Sequence, residues 1–265
     1  MILIRFLFFI FSLCILPRNV YCFNPKDMFS KLLQKNETEL ISKEYTLATP
    51  STFNITVGSG SITIKSWSQN KVLIEATKYG SLSELQATSI YAKQTNNLFA
   101  LETRSKESSA ASVDYLLIVP ENSSIRLKNN GSSTVKIKQV SGSLDIALNE
   151  GTIEIHDSTN TVVAKTNKGN IKVKQKKFTP TSSIFLETLK GNIALTLPRG
   201  TNATIQARTY NGSIETKQPI TLSTRIMPLN ATTWQQFRRD IEGKLGLGGA
   251  PITLETTNGT ITLDE

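Results

Sequence analysis

The feature that most constrains this chain is a corner that it repeats. After Pro120, glycines stand at Asn129-Asn130-Gly131, Asn149-Glu150-Gly151, Asn167-Lys168-Gly169, Leu189-Lys190-Gly191, Tyr210-Asn211-Gly212 and Thr257-Asn258-Gly259. They follow one another at 20, 18, 22, 21 and 47 residues. A period near 20 implies stacked units that share one core. The last gap spans two periods, so it holds an insertion or a further unit.

Apolar residues alternate on both sides of each corner. Downstream lie Val135/Ile137, Ile153/Ile155, Ile171/Val173, Ile193/Leu195 and Ile261/Leu263, with Ile214 and Thr216 in the remaining copy. Upstream lie Val162/Ala164, Ile184/Leu186, Ile205/Ala207 and Ile252/Leu254, and Thr166, Thr188, Thr209 and Thr256 each precede their glycine by three. Side chains two apart share one face of a strand. Each unit is therefore a strand, a tight turn and a second strand, with both apolar faces directed the same way. Such a unit cannot bury that face alone. Stacking in parallel register can, because equivalent residues then form columns. Glycine suits a corner that needs positive φ, and the threonine hydroxyl is placed to satisfy a turn amide.

The expected fold is all-β: a right-handed single-stranded parallel β-helix, or β-solenoid, with a less regular N-terminal strand meander. Residues 51–119 would be those N-terminal strands, and 120–265 the repeat rungs, interrupted by an insertion at 218–245. Outward residues agree with stacking, since signs alternate in Lys165, Glu187 and Arg208, and in Lys136, Glu154 and Lys172. On this reading Glu187 sits between Lys165 and Arg208 of neighbouring rungs.

The start of the chain has a different texture. Arg5 precedes an eleven-residue run, Phe6 to Leu16, that is apolar except for Ser12, and Pro17 and Arg18 end it. This is the anatomy of a secretory signal peptide over residues 1–22, too short for the roughly 20 residues that span a bilayer. Residues 23–50 read as a polar linker. Both cysteines, Cys14 and Cys22, fall in the signal segment, so the mature chain would rely on burial and backbone pairing without disulfides. Removing Arg5 and Arg18 leaves 28 basic against 21 acidic residues, a charge of +7. The product is expected in the periplasm, at the cell surface or outside the cell. No later segment is apolar and long enough to cross a membrane as a helix.

The stretches "VPENSSIRL", "LPRGTNATIQARTYNGSIET" and "GLGGAPITLETTNGTITLDE" carry a resemblance. The chain resembles, over roughly Phe53 to Leu263, a bacterial family of exported β-strand-repeat domains of unknown function that carries the label "putative adhesin". The resemblance implies the solenoid fold and supplies no catalytic residue. The chain departs from the family's pattern at 218–245 and in its basic charge.

Three features remain as candidate sites. Lys136, Lys138, Lys172, Lys174, Lys176 and Lys177 form the densest basic patch, suited to an anionic glycan or envelope surface. Without interleaved aromatic residues it is poorly suited to nucleic acid. Trp234, Phe237, Ile241 and Leu245 have helical spacing, which predicts a helix over 232–245 that either covers the stack or docks a partner protein. Asp145, Glu154 and Glu215 face outward but are too widely spaced for glycoside hydrolysis, which needs carboxylates about 5–10 Å apart. His156 is the one histidine and has no companion for a metal site. Neither a metal nor a cofactor is implied. Of eight Asn-x-Ser/Thr sequences, those at Asn130, Asn211 and Asn258 are simply corners. The expected function is a non-enzymatic adhesion or scaffold module. The alternatives are an envelope glycan-modifying enzyme or a regulatory binding protein of the envelope.

Overall fold

The computed structural model describes residues 37–107, 109–223 and 239–265, all within the unit Asn36–Glu265. The signal segment, Trp234 and Phe237 lie outside the described residues. The chain begins with β1 (Glu37–Thr46), followed by β2 (Thr52–Val57), β3 (Gly60–Trp67) and β4 (Lys71–Gly80). A single turn-and-a-half of helix, α1 (Leu82–Ala87), leads into β5 (Thr88–Thr95), β6 (Leu98–Ser105) and β7 (Ser112–Pro120). β8 (Ser124–Lys138) and β9 (Leu144–Ser158) each bend at a corner and supply both arms of a rung. The later rungs divide into β10 (Val162–Lys168) with β11 (Ile171–Gln175), β12 (Ile184–Lys190) with β13 (Ile193–Thr196), and β14 (Ala203–Asn211) with β15 (Ile214–Thr216). β16 (Ile220–Leu222), β17 (Asp240–Leu245), β18 (Ala250–Asn258) and β19 (Ile261–Asp264) complete the described chain.

Parallel pairing stacks the rungs in the order β6/β7, β2/β3, β8, β9, β10/β11, β12/β13, β18/β19, β14/β15. The chain order is broken at both ends of this stack. β2/β3 lies inside β6/β7, and the last rung inserts between β12/β13 and β14/β15. Glu187 therefore meets Lys165 on one side and Glu255 on the other, and Arg208 also faces Glu255. The expected neighbour Arg208 is one rung too far.

The core is a set of residue columns. One runs Phe99, Phe53, Ile125, Leu144, Val162, Ile184, Ile252, Ile205 through the first arms, and all are almost fully buried. Another runs Tyr115, Ile62, Val135, Ile153, Ile171, Ile193 and Ile261 through the second arms, again buried. Burial of each such side chain contributes about 1.5–3 kcal/mol, which is how a fold of this length does without a disulfide. β2/β3 and β6/β7 belong to these columns. The N-terminal region is thus two further rungs in place of an irregular meander, and its corner, Gly58-Ser59-Gly60, keeps the Gly-x-Ile-x-Ile spacing of the later copies.

The corners are held by a ladder of their own. Thr166, Thr188, Thr256 and Thr209 are buried, and each hydroxyl donates to the glycine carbonyl of the rung beneath: Gly151 at 3.4 Å, Gly169 at 3.0 Å, Gly191 at 3.0 Å and Gly259 at 2.9 Å. The hydroxyls thus satisfy carbonyls of the adjacent rung, where a turn amide was expected. Asn129 takes the threonine's place against Gly58. Outside this ladder, Asn170 accepts the amide of Asn192 at 2.8 Å, and Asn192 accepts that of Thr260 at 2.9 Å. A Thr188→Val substitution keeps the shape and leaves the Gly169 carbonyl without this donor. It should cost about 1 kcal/mol in urea unfolding, whereas Thr188→Ser should retain most of the stability.

Antiparallel strands close the two ends, so the sheet is mixed. At one end β4 pairs with β7, β1 with β4, and β5 with β6. Residues 37–46, in the segment expected as linker, are therefore a strand, and Lys78 of β4 is buried with its ammonium 2.9 Å from Glu39 of β1. At the other end β17 pairs with β14 and β16 with β17. Ile241 and Leu245 consequently lie on a strand and not on the predicted helix. The apolar spacing suited a helix, but Gly243 and Leu245 are buried in strict alternation. The open backbone edge of β14 offers a ladder of hydrogen bonds that a helix cannot use.

Candidate functional site

The outward residues of the second arms form two columns along the stack. The first reads Thr63, Lys136, Glu154, Lys172, Ala194, Thr262, Glu215. Its charges alternate, and Lys136 Nζ lies 3.5 Å from Glu154 Oε2. The second reads Lys65, Lys138, His156, Lys174, Thr196, Asp264. Four bases thus stand on four successive rungs, a row roughly 14 Å long at about 4.8 Å per rung. The three lysines are exposed and His156 is half-buried.

This row contrasts with several other positions along the stack. Several rung-to-rung charges elsewhere are paired, Arg126 Nε with Asp145 Oδ2 at 3.3 Å, Lys165 Nζ with Glu187 Oε2 at 3.0 Å and Lys217 Nζ with Asp264 Oδ1 at 3.1 Å, although Glu187 and Glu255, and Lys168 and Lys190, also stand in register with like charge. Lys65, Lys138, Lys172 and Lys174 form no ion pair with any described residue. Like charges in register oppose pairing, and Lys65 and Lys138 stand directly opposed in this row.

The other members of the sequence-derived patch lie around the end of the arm. Lys176 and Lys177 begin the connection that returns from β11 to β12. With Phe178, Pro180, Pro198, Arg199 and Asn202 they line a cleft of about 290 Å³. Two connections form its walls, 176–183 from β11 to β12 and 197–202 from β13 to β14. Phe178 is half-buried against the core. Arg199 Nε is 3.3 Å from Glu265 Oε2. A smaller hollow of about 240 Å³ brings Glu121 and Asp157 beside Lys176, so acid borders the basic track on that side.

Lys65 and His156 complete the row, although sequence reasoning did not place them in the patch. The signal was available: counted from Gly60, Gly151 and Gly169, Lys65, His156 and Lys174 are each the fifth residue after the corner. Lys138 falls two later because β8 carries an irregularity between Asn129 and Ser132.

The carboxylates are not brought together. Asp145 is tied to Arg126 on the first arm and Glu154 to Lys136 on the second. Glu215 is four rungs from Glu154, one more than expected because of the inserted rung, hence roughly 19 Å away. Among the described residues no three His, Cys, Asp or Glu side chains are clustered as a metal site would need. Tyr115 has a strongly displaced ionisation: burial pushes its phenol up to about 12, against a hydrogen bond with Thr103 at 2.6 Å that acts the other way. It stays protonated at neutral pH and cannot serve there as a base. No helix among the described residues is long and apolar enough to cross a membrane.

Comparison with known proteins matches the chain to a family. The family model described as Toastrack DUF4097 matches residues 25–264. A solved structure of a "putative cell adhesion protein" from Clostridium sporogenes aligns with 87% of this chain and 99% of its own, at 13% identity and a TM-score of 0.55. A "putative adhesin" from Bacteroides fragilis aligns over 85% of this chain and 96% of its own, at 11% identity and a TM-score of 0.40. No curated protein matches the chain. At these identities the likeness to the Clostridium sporogenes structure concerns the fold alone.

Proposed function

The chain belongs to the Toastrack DUF4097 family, and from that premise we propose that it is an exported, non-enzymatic β-solenoid acting as an adhesion or scaffold module at the cell surface or in the envelope space. Its winding is read as the right-handed sense of a single-stranded parallel β-helix. Export rests on the signal segment, residues 1–22. The contact surface is the outer face of the second arms, where it meets an anionic surface or polymer.

One observation carries this reading: four bases, Lys65, Lys138, His156 and Lys174, stand in register on four successive rungs. Such a row is stabilised when an anionic partner lies across it. The name given to the Clostridium sporogenes structure is in keeping with adhesion. The separated and ion-paired carboxylates favour binding over hydrolysis.

The test uses protein purified from cells expressing the full chain, presented to beads bearing an anionic or a neutral polymer. Lys138→Glu with Lys174→Glu should weaken retention on the anionic beads about tenfold. Lys128→Glu with Lys190→Glu makes the same change in net charge on the first arm and at a corner, and should leave retention close to that of the parent. Equal weakening by both pairs would mean that net charge, not this face, governs binding. Recovery of the protein only from the cytosolic fraction would remove the exported role.

A further inference from the structure

Resting on the reading of the basic face as the contact surface, we propose that the row and the adjoining cleft together seat a linear acidic polysaccharide carrying a carboxylate on each sugar. The row fixes the shape of the ligand. It runs along the stack axis with a base on each of four rungs, broadened by Lys172 beside Lys174, so it suits a chain laid lengthwise rather than a compact anion. Each sugar of such a polymer advances the chain by about the spacing of one rung, about 4.8 Å, and is turned about the chain axis relative to the one before. The carboxylates on the protein-facing side of the chain meet bases of the row, and the others face solvent.

The cleft fixes the chemistry beyond charge. It opens where the row ends, two residues past Lys174, and Lys176 and Lys177 carry the positive track into it. Neither forms an ion pair with a described residue. Phe178, Pro180 and Pro198 give it flat apolar walls, and Thr179, Thr201 and Asn202 give it polar edges. Those edges are set in place: Thr201 Oγ1 donates to the Pro198 carbonyl at 2.6 Å, and Thr179 Oγ1 lies 2.8 Å from Ser182 Oγ. A sugar ring presents an apolar face bordered by hydroxyls, which matches this lining. At about 290 Å³ the cleft is near the lower end of small-molecule sites, roughly 300–1,000 Å³, and so accepts a single ring. A single-stranded nucleic acid would need aromatic platforms along the row for its bases, and the row has none.

Binding of the purified full-chain protein is measured against four probes: polygalacturonate, the same polymer with its carboxylates methyl-esterified, polyphosphate and a single-stranded oligothymidylate. Polygalacturonate should bind tightest, and its esterified form should not bind. Lys138→Glu with Lys174→Glu should weaken polygalacturonate and polyphosphate alike, each about tenfold. Phe178→Ala should weaken polygalacturonate about fivefold and leave polyphosphate unchanged, because only the sugar meets the ring. Phe178 packs against the core, so Phe178→Leu, which keeps the apolar volume and removes the ring, should give the same selective loss in a fully folded protein. Polyphosphate or oligothymidylate binding as tightly as polygalacturonate, or indifference of polygalacturonate to both Phe178 variants, overturns the polysaccharide while leaving the basic face standing. Failure of the lysine pair to weaken either polymer overturns the face itself.

Discussion

Gly191→Ala should destabilise the protein by about 3 kcal/mol or more, a large effect for one added methyl group. A Cβ at this position would lie 1.9 Å from the carbonyl oxygen of Gly169, far inside contact distance. Backbone, unlike a side chain, cannot swing aside. The φ of +154° adds strain for any L side chain. The same crowding repeats up the corner column, where Gly169 faces the Gly151 carbonyl, Gly259 that of Gly191, and Gly212 that of Gly259. Positive φ holds at Gly151, Gly169 and Gly191 but not at Gly212 or Gly259. The demand common to all of them is close approach between rungs, and turn geometry comes second. Gly58 is the control: nothing lies within 4 Å of a Cβ built there, and Gly58→Ala should stay within about 1 kcal/mol of the parent. Urea midpoints decide the matter. An unchanged midpoint for Gly191→Ala would mean that the rungs are not stacked corner on corner.

Truncation after Gly249, which removes β18 and β19, should do far more harm than loss of a rung from the end of a solenoid. An end rung has one interface, whereas this one has two: β18 pairs with β12 and β14, and β19 with β13 and β15. In a stack held by nearest-neighbour contacts, removing an interior member disconnects what lies beyond it. Amide hydrogen exchange should therefore accelerate about a hundredfold or more over 203–222, while 125–174 keeps slow exchange. Retained protection over 203–211 would mean that β14 can pair directly with β12, and that the inserted order is not needed for stability.

Much of the rung was legible because its determinants are local. The alternation of Ile193 and Leu195 about the Gly191 corner, and the threonine at 188, follow from strand geometry and the reach of one hydroxyl. The two N-terminal rungs were less legible because their corners are irregular: Gly58-Ser59-Gly60 doubles the glycine, and β6 reaches β7 through a longer connection. The candidate site was half legible. Lys138, Lys172 and Lys174 stand out in the sequence, but Lys65 joins them only because β3 stacks on β8.

The sequence by itself determined the all-β class, the two-armed rung, the inward columns and the glycine corners, because each depends on residues two to five apart. Only the tertiary structure decided the order of the rungs, the strand at 240–245 and the unbroken basic row. The physical reason lies in the repeat. Rungs with equivalent Ile, Leu and Thr columns present nearly equivalent edges, so any one can pair with several others. Which pairing wins depends on chain connections and end closure, which no single rung encodes.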